Sequence, residues 1–81
     1  MNDDEIYNAR IEAIAKRIKD LRIQAGYSSY EKFALEHNLD RKHYWRMESG
    51  QNISMKSLFK LLDIHNITIQ TFFEDTHLPI G

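Results

Sequence analysis

Eighty-one residues, 42% hydrophobic and 28% charged, bound the chain to one small globular domain near the lower size limit for a single core. The absence of cysteine excludes disulfides and thiolate metal sites, no apolar run approaches the ~20 residues of a membrane span, and the acidic start Met-Asn-Asp-Asp-Glu is unlike a signal peptide; a cytoplasmic location without membrane attachment is expected. The net charge of −1 excludes a strong overall basic field, yet residues 1–15 set Asp3, Asp4, Glu5 and Glu12 against Arg10, whereas residues 16–51 carry eight Lys or Arg against five Asp or Glu.

Five helices fit the sequence, and no strand pattern, repeat or linker does; the single proline is Pro79. The spacing predicts a first helix from about Asp4 to Ala25. Tyr7, Ile11, Ile14, Ile18, Leu21 and Ala25 follow one another at steps of three and four and make a single apolar seam, with Gly26 as the stop. A capping box opens the second helix, Ser28 accepting from the Glu31 amide and the Glu31 side chain returning the bond. That helix runs to about His37 with Tyr30, Phe33, Ala34 and His37 on one face, His37 as a hydrogen-bonded histidine at the core edge and Leu35 off the core arc, bordering the fourth helix. Asn38 suits the left-handed backbone of a tight turn, Leu39 plugs it, and Asp40 caps the third helix.

The third helix, Arg41 to Glu48 with Gly50 as its stop, has two chemically opposed faces. At about 100° per residue, Arg41, Lys42, Trp45 and Arg46 share one arc, and Tyr44, Met47 and Glu48 fall on the other side. Three cations and an indole thus point away from a scaffold held by an aromatic ring, a methionine and one carboxylate. A helix with that outward face fits a DNA major groove, where Arg and Lys match guanine O6/N7 and phosphate oxygens.

Ser54 caps a fourth helix whose Met55, Leu58, Phe59, Leu61, Leu62 and Ile64 make it the spine of the core; Asn66 ends it. Thr68 caps a final turn with Ile67 and Phe72 as a hydrophobic staple, and the tail from Glu74 to Gly81 is expected to be loose.

The second helix, its short turn and the third helix read as a helix-turn-helix. Arg-Ile-Lys-Asp-Leu-Arg at 17–22, Phe-Ala at 33–34, Asn-Leu-Asp-Arg at 38–41, Tyr-Trp-Arg-Met-Glu-Ser-Gly at 44–50 and Asn-Ile-Thr-Ile-Gln-Thr-Phe-Phe at 66–73 together resemble the phage-repressor and Cro type, or xenobiotic-response-element, family of DNA-binding proteins. The resemblance covers roughly residues 16–74 and implies an all-α, compact five-helix bundle of the lambda-repressor-like DNA-binding type. Residues 1–15 are then an N-terminal extension of the first helix and residues 75–81 a C-terminal tail.

By position, the resemblance assigns base reading to Arg41, Lys42 and Arg46, with Trp45 in the same arc able to touch a thymine methyl or the backbone. It assigns phosphate contacts to Ser28, Ser29, Ser49 and Gln51, with His43 at the edge of the arc a further candidate. Arg22 and Glu48 match an internal ion pair between the first and third helices, and their inward positions agree, since an unpaired buried charge is costly. Two departures stand out. Tyr-Ser-Ser-Tyr-Glu at 27–31 lacks the family's phosphate-binding glutamine, and Gly-Gln-Asn at 50–52 replaces the basic Gly-Lys-Arg.

The implied function is a sequence-specific transcriptional regulator of double-stranded DNA, a repressor because no activation or sensor domain accompanies the motif. It would act as a homodimer on half-sites about one helical turn, ~34 Å, apart. Candidate dimer surfaces are Ile6, Tyr7 and Ile11, or Ile69, Phe72, Phe73 and Leu78. Histidines 37, 43, 65 and 77 have no metal-ligand spacing and no glycine-rich phosphate loop occurs, so neither catalysis, metal nor cofactor is expected. The alternative is an antitoxin-like or anti-repressor protein-interaction module, supported by the near-neutral charge and acidic N-terminus.

Overall fold

Each helix begins on a short polar side chain that accepts a hydrogen bond from an amide three residues on, the ordinary device for satisfying free N–H groups at a helix start. In the computed structural model, which describes residues 2–80, Asn2 caps α1 (Asp3–Gln24), Ser29 caps α2 (Tyr30–Glu36), Asp40 caps α3 (Arg41–Glu48), Ser54 caps α4 (Met55–His65) and Thr68 caps α5 (Ile69–Glu74). The outermost residues of the expected extension and tail, Met1 and Gly81, lie outside the described residues. The helix ends are as regular as the starts. Gly26, Asn38, Gly50 and Asn66 all have positive φ, and the amide after each returns to a carbonyl five residues back: Tyr27 to Arg22, Leu39 to Ala34, Gln51 to Arg46 and Ile67 to Leu62. One left-handed residue therefore closes each of the first four helices.

Two local expectations shift. The cap of α2 is Ser29, whose Oγ accepts from the Lys32 amide at 3.3 Å, so the Ser28–Glu31 box does not form. The helix therefore starts one position later than the box implies, and Ser28 is exposed. On α1 the buried residues are Ile6, Ala15, Arg17, Ile18, Leu21 and Arg22, while Tyr7 and Ala25 are exposed. The seam is thus narrower than its apolar pattern, and Arg17 joins the expected Arg22 in an inward position.

The five helices enclose one core of Ile18, Leu21, Phe33, Ala34, Tyr44, Met47, Leu58, Leu61, Leu62 and Phe72. Phe33 is its hub, with ring contacts to Tyr27, His37, Tyr44 and His65 at centroid distances of 5.2, 4.6, 5.0 and 5.3 Å. His37 sits at the core edge through these aromatic contacts; among the described residues its ring makes no hydrogen bond. The spine role of α4 falls to Leu58, Leu61 and Leu62, because Met55 and Phe59 are half exposed, and Leu35 is 78% exposed rather than packed along α4.

The tail is bonded to α1 as far as Pro79. Arg17 Nε donates to the Phe72 carbonyl at 3.3 Å and its Nη2 pairs with Asp75, the Thr76 hydroxyl donates to the same carbonyl at 2.7 Å, and Arg10 Nε donates to the Pro79 carbonyl at 3.0 Å. Cations of α1 thereby hold the segment after α5. With Ile6 also buried, the N-terminal extension and the tail are tied to the same body.

His65 stacks on Phe33 with its Nε2 buried and unpartnered. Burial lowers its pKa below the ordinary histidine value, and the neighbouring His37 and Arg17 lower it further. The unfolded chain therefore takes up this proton first, near pH 6.5. The contribution of neutral His65 is complete above that pH, declines below it, and stops changing once the folded-state pKa is passed. Thermal melts between pH 7.5 and 5 should show a larger loss for the parent than for His65→Phe, which keeps the ring stack; equal losses would mean that His65 is not held neutral.

Candidate functional site

α3 is an eight-residue helix that could not hold its shape alone, so its orientation must come from its neighbours. Tyr44 and Met47 insert into the core, 0% and 3% exposed. Glu48 is gripped by Arg22 of α1 through two bonds, Nη2 to Oε1 at 2.8 Å and Nε to Oε2 at 3.0 Å, with the side chains only 5% and 9% exposed. The remaining edge of the guanidinium donates to the Tyr27 carbonyl at 3.0 Å. One arginine thus joins α1, the connection into α2 and the last turn of α3. The bond to Glu48 raises the Arg22 pKa. The Tyr44 hydroxyl lies buried beside this pair without a hydrogen bond of its own; burial first, then the Glu48 carboxylate, raises its pKa, and Arg22 partly offsets them.

With those residues turned inward, Arg41, Lys42, Trp45 and Arg46 are all exposed, Trp45 at 47%. The four side chains grouped by helical spacing therefore form one outward face. Among the described residues, Arg41 alone of the four has an ionic partner, Glu31 of α2 at 3.5 Å, with both side chains more than half exposed. Such a pair is weak and readily exchanged for another anion.

The residues assigned by resemblance to phosphate contacts divide. Ser28 and Gln51 are exposed, at the entry to α2 and the exit from α3. Ser29 Oγ is occupied as the α2 cap, and the Ser49 hydroxyl donates to the Arg46 carbonyl at 3.0 Å, so each is committed to a helix end. His43 is exposed at the edge of the arc, with its Nε2 2.9 Å from the Ser57 hydroxyl of α4. Of the dimer candidates, Ile6 and Phe72 are buried, Ile69 and Phe73 pack on the core, and Tyr7 and Leu78 remain exposed.

Two features escape a linear reading. Arg17, which belongs by position to the basic segment, is buried against α5 and contributes nothing outward. Conversely, Lys56 and Lys60 of α4 line the same cleft as His43 of α3, bringing cations beside the third helix from a distant stretch of sequence. Their four-residue spacing places them on one side of a helix, the signal available in the sequence. Among the described residues, no group of three or more His, Cys, Asp or Glu is arranged to hold a metal ion, and no helix is long and apolar enough to cross a membrane. The chain matches no protein-family model, no curated protein and no solved structure.

The Arg22–Glu48 pair yields a direct test. Glu48→Ala leaves a buried guanidinium uncompensated and should cost ~3–5 kcal/mol, lowering the thermal midpoint by more than ~10 °C. The double replacement Arg22→Met with Glu48→Leu should recover most of that loss, because it removes both charges and keeps the volume. A loss below ~1 kcal/mol for Glu48→Ala, the range of exposed pairs, would show that the bridge is solvated.

Proposed function

We propose that the chain is a sequence-specific DNA-binding transcriptional regulator of the phage-repressor and Cro type, with α2 and α3 as its helix-turn-helix and α3 entering the major groove. The observation that carries this reading is the division of α3. Its inner face is locked by Tyr44, Met47 and the Glu48 bridge, while Arg41, Lys42, Trp45 and Arg46 stand together in solvent. Three exposed cations around an exposed indole match base edges and phosphates. The four-residue connection from α2, closed by Asn38 and capped again at Asp40, supports the same reading.

In that role Arg41, Lys42 and Arg46 read bases, and Trp45 contacts a thymine methyl or the sugar-phosphate backbone. Ser28 and Gln51 contact phosphates at the two ends of the motif. The protein acts as a repressor and binds as a homodimer, since one small domain makes few phosphate contacts. Tyr7 and Leu78 are the remaining exposed members of the candidate dimer surfaces.

Selection from a random pool of duplex DNA tests the reading, with enrichment of a near-palindromic sequence expected. Arg41→Ala with Arg46→Ala should weaken binding to the enriched site by ~1–3 kcal/mol for each base-reading side chain removed, with helical circular dichroism unchanged. Parent-like affinity in that double variant would remove these residues from the reading face.

A second reading, an antitoxin-like or anti-repressor module that grips another protein, is favoured by half-exposed Met55 and Phe59, one turn apart on α4. Salt separates the two. Binding through Lys and Arg to phosphates weakens steeply as salt rises, whereas an apolar protein interface does not.

A further inference from the structure

The cleft between α3 and α4, about 320 Å³, has an apolar floor of Leu39, Met47 and Leu61 and a rim that includes His43, Lys56 and Lys60. The His43–Ser57 contact at 2.9 Å spans it, and Ser57 is itself held by the α4 cap, Ser54 Oγ to Ser57 Oγ at 3.0 Å. The position of Lys56 and Lys60 relative to α3 is therefore set by side-chain bonds as well as by core packing. Both lysines are exposed, and neither has an ionic partner among the described residues. The carboxylate lining this cleft is Asp40, whose Oδ2 accepts the His43 amide at 2.8 Å as the α3 cap. The rim thus carries two free ammonium groups against one committed carboxylate.

His43 also fixes where this rim lies. On α3 it follows Lys42 by about 100° and stands just beyond the arc of Arg41, Trp45, Lys42 and Arg46. Groups beside His43 accordingly flank the outward face and do not belong to it. A ligand that presents recognisable edges to that face and a continuous row of negative charge along its flank is duplex DNA. Lysine, a compact charge on a flexible stem, suits such a row of phosphates without demanding a fixed geometry.

We propose that Lys56 and Lys60 form the phosphate-binding flank of the DNA footprint, with the His43–Ser57 bond positioning them. This rests on the DNA-binding reading of α3. The lysines anchor the protein without reading sequence, so their effect is on salt dependence and overall affinity, while discrimination between sites stays with α3.

Binding to the selected duplex across a range of KCl concentrations tests this with the parent, Lys56→Ala/Lys60→Ala and Lys56→Arg/Lys60→Arg. Each phosphate no longer neutralised should reduce the slope of log affinity against log salt by about 0.9. The alanine variant should therefore fall short of the parental slope by about one to two units and bind every half-site variant more weakly by the same factor; the arginine variant should keep the parental slope. Exposed, unpaired lysines leave the fold intact, which unchanged circular dichroism verifies. A parental slope in the alanine variant, or a weakening confined to one base position, overturns the flank and leaves the α3 reading standing. A parent that binds no duplex, with no sequence enriched from the pool, overturns both.

Discussion

The Arg22–Glu48 bridge is the constraint on which the rest of the arrangement depends. Burying two charges removes their hydration, and the loss is offset only because the guanidinium meets both carboxylate oxygens and the Tyr27 carbonyl in good geometry. Apolar residues of similar size would stabilise the fold at least as well. The ion pair adds direction. An apolar contact lets a short helix rotate or slide by a fraction of a turn, whereas a bidentate pair at its last turn fixes rotation and height together. Tyr44 and Met47 supply the adhesion, and Glu48 supplies the register in which Arg41, Lys42, Trp45 and Arg46 face outward.

The same chemistry sorts the cations into two populations. Arg10, Arg17 and Arg22 on α1 use planar guanidinium groups to hold carbonyls and carboxylates of other segments, which suits a side chain with several fixed donors. Arg41, Lys42, Arg46, Lys56 and Lys60 stay in solvent. A count of charges along the chain merges the two populations, and so overstates the outward charge of α1 and understates that of the region around α3 and α4.

What can be read from the sequence follows from how local each signal is. Helix number, the Asp40, Ser54 and Thr68 caps, the left-handed Asn38 and Asn66 and the two faces of α3 depend on neighbours within a few residues, and all are found in the structure. The Ser28 box differs because Ser28 and Ser29 are adjacent and chemically equivalent candidates, which local spacing does not separate. The tail held by Arg10 and Arg17, the His43–Ser57 bond and the approach of Lys56 and Lys60 are non-local. No periodicity encodes them. The Arg22–Glu48 pair is also non-local, and it is legible only through resemblance joined to the cost of an unpaired buried charge.

For the proposed function, modest charge and a rigid α3 belong together. A protein with net charge −1 gains little from long-range attraction to DNA, so diffusional capture is weak and non-specific binding is easily abolished by salt. Discrimination must then come from a few contacts made at defined positions. Such contacts discriminate only if the helix carrying them cannot shift to accommodate the wrong base, because a mobile α3 would average over neighbouring registers. In the proposed role, the desolvation spent on the buried ion pair supports the property a weakly charged reader most needs. A more basic surface would raise affinity for every sequence alike, and the geometry of α3 would count for less.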